Sequence, residues 1–424
     1  MGRNTRGGQP RRSFLQAAGA VGLAGAAGCL DQLSEEQEFD VLHGWAAGDG
    51  QEAIQALVEG FQESHPDIDF GVQDVQGGAR DNLETVVSRR LRDGDPPSTW
   101  QEWPGANLLQ FGDNLGDIEG DVWDDEMKEN YLEGPQEAAR PDGTYVAVPL
   151  NIHRINNLFY NVAVVEEAGV DPESIDGPEA LVDAFQAVAE NTEATPFANG
   201  TGELFTVFQL WETIFLAQAG ADAYDELING EFDDVDAVRD SLALLAEYVE
   251  FFPDDHFSTS FTEANERVID GEAAFIHQGD WAAGAYRNRD GFDYGDNWDH
   301  VPFPGTEGLY ALNMDSFTYP ADNPTPEDTK TFLSYVGSTD AQERFNPLKG
   351  SIPPRVDVDE SEFPPFLQQQ IGDFRDSDAQ PPSIAHGAAV PPAIRGEVED
   401  AIDAYLGNFD PDDHAPSLLS AFSA

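Results

Sequence analysis

Hydrophobic residues recur with helical spacing along residues 53–61, between two segments that have strand patterns. The positions that share one face of this helix are Ile54, Leu57, Val58 and Phe61. The flanking strands are predicted at residues 39–43 and 68–75. A strand, a loop, a helix and a second strand in this order favour a parallel sheet. In α/β proteins, the loops at the carboxyl ends of such strands are where ligands bind.

The same two spacings predict the remaining elements of an α/β fold. Strands are expected at residues 98–103, 144–150, 273–276 and 315–319. Helices are expected at residues 81–91, 177–190, 204–216, 235–251, 261–270, 326–336, 341–345 and 393–406, and the last of these closes the fold. Polar and apolar residues interleave along residues 151–161, which predicts an extended crossover from one lobe to another.

Residues 271–281 end one of the predicted strands with an acid beside a large aromatic residue. Gly279 interrupts the apolar run, and Asp280 and Trp281 follow it. A carboxylate next to a ring suits a sugar-like ligand, which presents both hydroxyl groups and an apolar face. The alternative is structural: Asp280 would cap the next helix, and Trp281 would belong to the core.

The charge of the chain indicates a strongly acidic surface. Among 424 residues, 81 are acidic and 21 are basic, which gives a net charge of −60. Such a chain repels nucleic acid and anionic lipid. The 27 Phe and 7 Trp residues favour a globular protein over an acidic disordered one. We therefore predict a folded protein adapted to high salt, which screens its self-repulsion.

The first 28 residues have the pattern of a twin-arginine signal peptide. Arg11 and Arg12 precede a small, apolar run at residues 17–27, shorter than the roughly 20 residues that span a membrane. Small residues then precede Cys29 as in a lipobox, so Cys29 is expected to carry a lipid anchor, with residues 29–38 as a polar tether. The alternative is a signal peptide cleaved nearby, with Cys29 incidental.

The chain lacks the local motifs of several enzyme classes. Its single cysteine excludes a disulfide within the chain, and its eight histidines lack metal-ligand spacing. There is no phosphate-binding loop, dinucleotide-binding loop, nucleophile elbow or zinc-protease motif. We therefore expect no catalytic residue, cofactor or metal, although the abundance of carboxylates leaves a glycosidase pair open.

Tryptophans beside polar residues are the positive signal. Trp45, Trp103 and Trp281 each follow a predicted strand and have Asp, Gln or Glu close by. Aromatic rings bury the apolar faces of a sugar, and carboxylates and amides accept its hydroxyl hydrogens. This combination favours a carbohydrate-binding cleft.

Eight segments, in this order, resemble the extracellular solute-binding proteins of ABC sugar importers, and among them the glucose/mannose-binding branch. The segments are residues 43–50, 94–101, 151–156, 279–281, 303–306, 315–317, 349–353 and 383–387. The resemblance implies a two-lobe, periplasmic-binding-protein-like α/β fold with three hinge crossings, near Asn151, Phe303 and Gly350. It places residues 39–150 and 304–349 in the N-terminal lobe, and residues 151–303 and 350–424 in the C-terminal lobe.

The resemblance also implies the residues that contact the sugar. Matching positions give Trp45, Gln101, Trp211, Asp280, Lys349 and His386. Further candidates are Asp49, Trp103, His153, Trp281 and Asp315. Some alternatives stay open, because Trp211 lies in an apolar helical run typical of a core, and His153 and Arg154 are equally consistent with salt bridges at a hinge.

The expected function is binding without catalysis. A monomeric, lipid-anchored receptor on the outer face of the cell membrane would bind a monosaccharide, glucose or mannose first, and deliver it to the permease subunits of an ABC importer. An oligosaccharide is an alternative ligand. An exported glycoside hydrolase is an alternative function, and would require two carboxyl groups about 5–9.5 Å apart in one cleft. A third possibility is an anchored surface protein without a small ligand.

Overall fold

The computed structural model describes residues 39–45, 48–75 and 81–423. The predicted signal peptide, Cys29 and tether lie outside these residues, and so does the side chain of Asp49. The described strands, β1 to β11, are Phe39–His43, Phe70–Asp74, Thr99–Glu102, Ala147–Pro149, His153–Arg154, Asn157–Asn161, Thr195–Phe197, Ala273–Gln278, Trp298–Pro302, Leu312–Asn313 and Ser316–Thr318.

The described α-helices, α1 to α15, are Gly48–Ser64, Asp81–Asp93, Asp125–Asn130, Glu133–Ala138, Val162–Ala168, Ala180–Asn191, Leu204–Ile228, Val235–Val249, Phe261–Ile269, Ala282–Arg287, Pro326–Val336, Thr339–Lys349, Pro365–Asp376, Pro392–Leu406 and Pro411–Ala421. Short 3₁₀ segments are Ala106–Asn114, Pro172–Ser174 and Glu360–Glu362. Within the described part of the chain, no helix has both the length and the apolar character needed to cross a membrane.

The first lobe is built on a five-stranded sheet in the order β2-β1-β3-β11-β4. Strand β1 pairs in parallel with β2 and β3, as the strand and helix order predicts, whereas β11 runs antiparallel to β3 and β4. Helices α1 and α12 pack together against this sheet, and Phe39, Phe61 and Phe332 meet edge to face between helix and sheet. The carboxyl ends of β1 and β3 therefore lie side by side at one edge of the sheet.

The second lobe is built on a four-stranded sheet in the order β7-β8-β6-β9. Every residue of β8 is buried, because β6 and β7 flank it. Its first four residues are divided between two core clusters, which explains why residues 273–276 form an apolar run without the alternation of a half-exposed strand. The strand ends at Gln278, so Asp280 and Trp281 lie at its carboxyl end, as the sequence predicts.

Three passages of chain join the lobes. The first contains β5, which pairs with β10 of the second passage, and Ile152 bridges Ile352 of the third. The second passage lies later than the predicted crossing at Phe303. Phe303 and Ala311 pack in the core of the second lobe, so residues 304–311 do not belong to the N-terminal lobe to which the predicted boundaries assign them.

The fold does not end at the helix predicted for residues 393–406. A further helix, α15, follows and packs against α8. It begins at Pro411, where the Asp410 carboxylate accepts the backbone N–H groups of Asp412 and Asp413. Pro416 inside this helix interrupts its pattern in the sequence, since proline lacks the N–H that an interior position donates.

Candidate functional site

Side chains from both lobes and from all three passages converge between the two sheets. One group, which we name the polar cluster, consists of Gln101, Asn151, His153, Asp280, Asp315 and Lys349, all of which are buried. A second group, which we name the ring cluster, consists of Trp103, Phe205, Trp281 and His386. The two clusters touch where the His153 ring meets the edge of Trp281, with 5.2 Å between ring centroids.

The Asp280 carboxylate is bound to the first passage. One oxygen, Oδ1, is hydrogen-bonded to Nδ1 of His153, and Oδ2 accepts the backbone N–H of Arg154 at 3.0 Å. Asp280 has no exposed surface. It does not cap helix α10, whose N-cap position is occupied by Trp281 without a side-chain hydrogen bond. The capping alternative for Asp280 is therefore wrong.

Asp315 joins the passages to the first lobe. Its Oδ1 accepts the amide of Gln101 at 3.0 Å, and its Oδ2 accepts the amide of Asn151 at 2.9 Å. Gln101 in turn accepts the backbone N–H of Gly44 at 2.8 Å, which ties the end of β1 to the same network. Nε2 of His153 lies 3.7 Å from Oδ2 of Asp315, so His153 stands between two carboxylates.

Opposite charges balance in the polar cluster. Burial alone would lower the pKa of His153, but the Asp280 and Asp315 carboxylates outweigh burial and raise it. Burial raises the pKa of Asp280. Burial would also raise the pKa of Asp315, but His153, the positive charge of Lys349 and the hydrogen bond from Asn151 hold it well below its usual range. Lys349, a buried lysine at the end of α12, thus offsets charge inside the protein.

Arg154 has a structural role beside this cluster. Its guanidinium donates to Oδ2 of Asp373 at 3.0 Å and to the carbonyl of Leu309 at 3.1 Å, and lies 5.1 Å from the Tyr310 ring. These contacts join the first passage to the second and to helix α13. The hinge interpretation therefore fits Arg154, while His153 contacts both the hinge and the ring cluster.

The ring cluster brings together residues from both lobes around His386. Trp103 follows β3 of the first lobe, and its ring centroid lies 5.4 Å from that of His386. Trp281 follows β8 of the second lobe and lies 5.6 Å from the same imidazole. Both tryptophans are partly exposed, whereas His386 is buried. Arg395 of α14 lies over the Trp103 ring at 5.3 Å.

The Trp281 ring lies directly against Gly279. A methyl group built on Gly279 would come within 2.2 Å of the six-membered part of the indole. Gly279 therefore allows the ring to lie flat on the turn after β8. The structural alternative expects a capping Asp280 and a core Trp281. The structure shows the reverse, because Asp280 is buried and the Trp281 ring retains exposed surface.

Three of the predicted contacts do not join these clusters. Trp45 is partly buried and packs against Phe345 and Phe317 of the first lobe, with centroids 5.2 and 6.1 Å away. Trp211 is fully buried in the core of the second lobe, where its Nε1 donates to Ser241 at 3.0 Å. The sugar contact expected of Trp211 therefore needs correction, because the hydrophobic core of the second lobe encloses the Trp211 ring. The Asp49 side chain lies outside the described residues.

The residues that hold the His386 loop are not among the site residues predicted from the sequence. Glu212 of α7 accepts hydrogen bonds from Ser383, Ile384 and Ala385, and Arg395 donates to the carbonyl of Ala385 at 3.0 Å. The signal for Glu212 was present, since it is the only acid in the apolar run 204–216. A buried acid in such a run requires partners.

Comparisons with known proteins identify the class. A family model described as bacterial extracellular solute-binding protein matches residues 56–369. The xylose/arabinose-binding protein XacG of Haloferax volcanii is 42% identical over 92% of this chain and 85% of its own length. An uncharacterized ABC transporter extracellular-binding protein of Pyrococcus horikoshii is 34% identical over 92% of this chain and 88% of its own length. The chain therefore belongs to the extracellular solute-binding family.

A solved structure supports the same fold. The bacterial solute receptor AcbH, which has an exclusive preference for β-D-galactopyranose, superposes with a TM-score of 0.78. The alignment covers 91% of this chain and 97% of AcbH at 15% sequence identity, so it shows the fold alone. The predicted two-lobe α/β fold is confirmed, and the branch within the family stays a prediction.

Proposed function

We propose that this protein is the sugar-binding receptor of an ABC importer and that it binds a monosaccharide where the ring cluster and the polar cluster meet. The observation that carries the proposal is the meeting of Trp103 from the first lobe and Trp281 from the second around His386. A sugar between two such rings would contact both lobes at once. Its binding energy would then favour the closed arrangement of the lobes.

The chemistry of the two clusters suits a neutral polyol. The rings bury the C–H faces of a pyranose, and the imidazole of His386 accepts or donates hydrogen bonds at its edge. The polar cluster supplies carboxylates beside positive groups, so a neutral ligand adds hydrogen bonds without adding charge. The carboxylates Asp280 and Asp315 are each committed to protein partners, which favours binding over hydrolysis.

The sequence resemblance and the relative of known name favour different sugars. The sequence resemblance favours glucose or mannose, whereas the relative named for xylose and arabinose favours a pentose. The pyranose forms of xylose and glucose differ only by the exocyclic hydroxymethyl group, whereas arabinose and mannose also differ in the configuration of their hydroxyl groups. We therefore propose an aldose monosaccharide, with these four sugars as the first panel.

Isothermal titration calorimetry in molar NaCl tests the proposal. We expect one of xylose, arabinose, glucose and mannose to bind with 1:1 stoichiometry and to raise the melting temperature, because a ligand of the native state stabilises it. Maltose and xylobiose test the oligosaccharide alternative. A folded protein that binds none of these sugars overturns the proposal, and release of reducing sugar from an oligosaccharide would favour a hydrolase instead.

Export and anchoring form a separate part of the proposal. We infer from residues 11–29 that the twin-arginine route exports the protein and that Cys29 carries the lipid. Cys29→Ser should move the protein from the membrane fraction to the medium, and Arg11→Lys with Arg12→Lys should keep it inside the cell. Retention of the Cys29→Ser protein on washed membranes would contradict the anchor.

A further inference from the structure

Hydrogen bonds through Ser383 connect Glu212 to His386 of the ring cluster. The carboxylate, on helix α7, is fully buried, and its Oε1 accepts the hydroxyl of Ser383 at 2.7 Å. The Ser383 oxygen in turn lies 2.9 Å from Nδ1 of His386 and 3.1 Å from the His386 backbone N–H. Glu212, Ser383 and His386 thus form a chain that runs from the core of the second lobe to the ring cluster.

In this chain the Ser383 hydroxyl can donate its hydrogen only to Glu212 when the carboxylate is ionised. A hydroxyl has a single hydrogen, and an ionised carboxylate only accepts. When Ser383 donates to Glu212, its oxygen accepts from the His386 backbone N–H and from Nδ1. Nδ1 must then carry a hydrogen, and in the neutral imidazole Nε2 becomes the acceptor.

The other carboxylate oxygen fixes the orientation of Glu212. Oε2 accepts the backbone N–H of Ile384 at 2.7 Å and the N–H of Ala385 at 3.3 Å. The Tyr224 hydroxyl lies 3.1 Å from Oε2 and 2.9 Å from the carbonyl of Pro382, and its one hydrogen serves both acceptors. Burial raises the pKa of Tyr224, so the phenol stays protonated and remains a donor. The two backbone N–H groups can only donate, so the atom that faces them must be an acceptor whichever group occupies position 212.

We propose that Glu212 is a positioning residue for ligand binding, which sets the tautomer of His386 through Ser383 so that Nε2 accepts a hydroxyl hydrogen of the sugar. The ligand part of this inference rests on the proposed function. The tautomer part rests on the hydrogen bonds alone. A residue that merely held the loop would act through the backbone N–H groups and would leave the tautomer unchanged.

Glu212→Gln separates these two roles. The two backbone N–H groups facing Oε2 require an oxygen there, so the amide NH₂ must face Ser383. Ser383 then accepts from the amide and donates its own hydrogen to Nδ1 of His386. The variant keeps the loop bonded to the backbone N–H groups but moves the imidazole hydrogen to Nε2.

Nitrogen NMR of the full chain labelled at histidine reads the tautomer directly. Burial raises the pKa of Glu212 to about 7, so the spectra should be recorded near pH 9, where the carboxylate is ionised. His386→Asn identifies the resonances. We expect Nδ1–H in the wild type and Nε2–H in Glu212→Gln. We also expect Nδ1–H in Tyr224→Phe, which removes the hydroxyl that faces Oε2 and the Pro382 carbonyl but keeps the carboxylate and the Ser383 hydroxyl.

Several outcomes would overturn the proposal. They are Nε2–H in the wild type, Nδ1–H in Glu212→Gln, or a switch in Tyr224→Phe. If Glu212→Gln does not fold, Ser383→Ala serves, because removal of the acceptor should end the dominance of Nδ1–H. Calorimetry with the sugar that binds best should show an affinity about tenfold lower for Glu212→Gln, corresponding to roughly one hydrogen bond. Absence of sugar binding would contradict the proposed function but leave the tautomer result readable.

Discussion

His153 and Asp280 meet as a buried pair although 127 residues separate them in the chain. His153 comes from the first passage between the lobes, and Asp280 follows β8, an inner strand of the second sheet. The pair therefore fixes the passage against the second lobe. Because Trp281 follows Asp280 directly and touches the His153 ring, the same contact places an aromatic residue of the site.

Asp280→Asn should destabilise the fold as well as weaken binding. The change removes the carboxylate bound to Nδ1 of His153, one of the two that raise the pKa of this imidazole, and leaves Asp315 at 3.7 Å from Nε2. Breaking one side of a buried pair costs about 3–5 kcal/mol. Urea unfolding with and without sugar measures both effects. Asp290→Asn, at an exposed position, is the matched control and should change the unfolding free energy by less than about 0.5 kcal/mol. Equal stability of both variants would show that the pair contributes nothing.

Trp281→Ala and Trp211→Phe should behave in opposite ways. Trp281 retains exposed surface beside His386, so its removal should lower sugar affinity at least about tenfold with a small loss of stability. Trp211 is fully buried and bonded to Ser241, so its replacement should destabilise the second lobe by about 1–3 kcal/mol and leave the affinity of the folded protein unchanged. Calorimetry and urea unfolding distinguish the two results. A loss of affinity in Trp211→Phe alone would restore Trp211 as a ligand contact.

Gly279→Ala tests whether the position of the Trp281 ring matters. The added methyl group would overlap the indole, which must tilt away from the turn. We expect a shift in tryptophan fluorescence and a loss of affinity comparable to that of Trp281→Ala. Gly372→Ala is the control, because a methyl group there meets no atom within 4 Å and should stabilise helix α13 by about 0.5–1 kcal/mol. Unchanged fluorescence in Gly279→Ala would show that the ring does not depend on this glycine.

The sequence predicts helices and strands well where a single hydrophobic periodicity runs through the whole segment. The bounds of α11 agree with the prediction to the residue, and β8 was found from its apolar run. Helix α7 continues beyond the predicted end to Ile228, past a bend at Gly220, whose φ is +83°. Because the dihedral angles of Gly220 are not helical, α7 consists of two helical pieces that meet at a kink, and the pattern of residues 204–216 describes only the first piece.

The site was predicted only in part, because sequence patterns do not show partners distant in the chain. Asp280 and His386 could be chosen as candidates, but the hydrogen bonds that determine their roles come from His153 and, through Ser383, from Glu212. For Trp211, the resemblance implies a sugar contact, although its apolar helical run is typical of a core. The packing of α8 against α7 encloses the ring in the core.

The unfolding free energy of the wild type should fall relative to Glu212→Gln as the pH rises from about 4.5 to about 7. Burial raises the pKa of Glu212 to about 7 from the ordinary 4.5. In this window the folded state holds a proton that the unfolded state has lost, so stability decreases with pH, by at most about 1.4 kcal/mol per unit. Urea unfolding of both proteins across this range gives the difference directly. A constant difference would show that Glu212 has an ordinary pKa in the folded protein.

Stability should depend strongly on salt because the chain carries a net charge of −60. The Debye length grows from about 3 Å at 1 M salt to about 10 Å at 0.1 M, so lowering the salt extends repulsion among the surface carboxylates. We expect the melting temperature to fall as NaCl is reduced from 2 M to 0.1 M at pH 8. The dependence should shrink near pH 4.5, where many carboxylates of ordinary pKa are partly protonated. Salt also strengthens apolar burial at both pH values, so an equal salt dependence at pH 8 and pH 4.5 would attribute the effect to burial and contradict adaptation through charge.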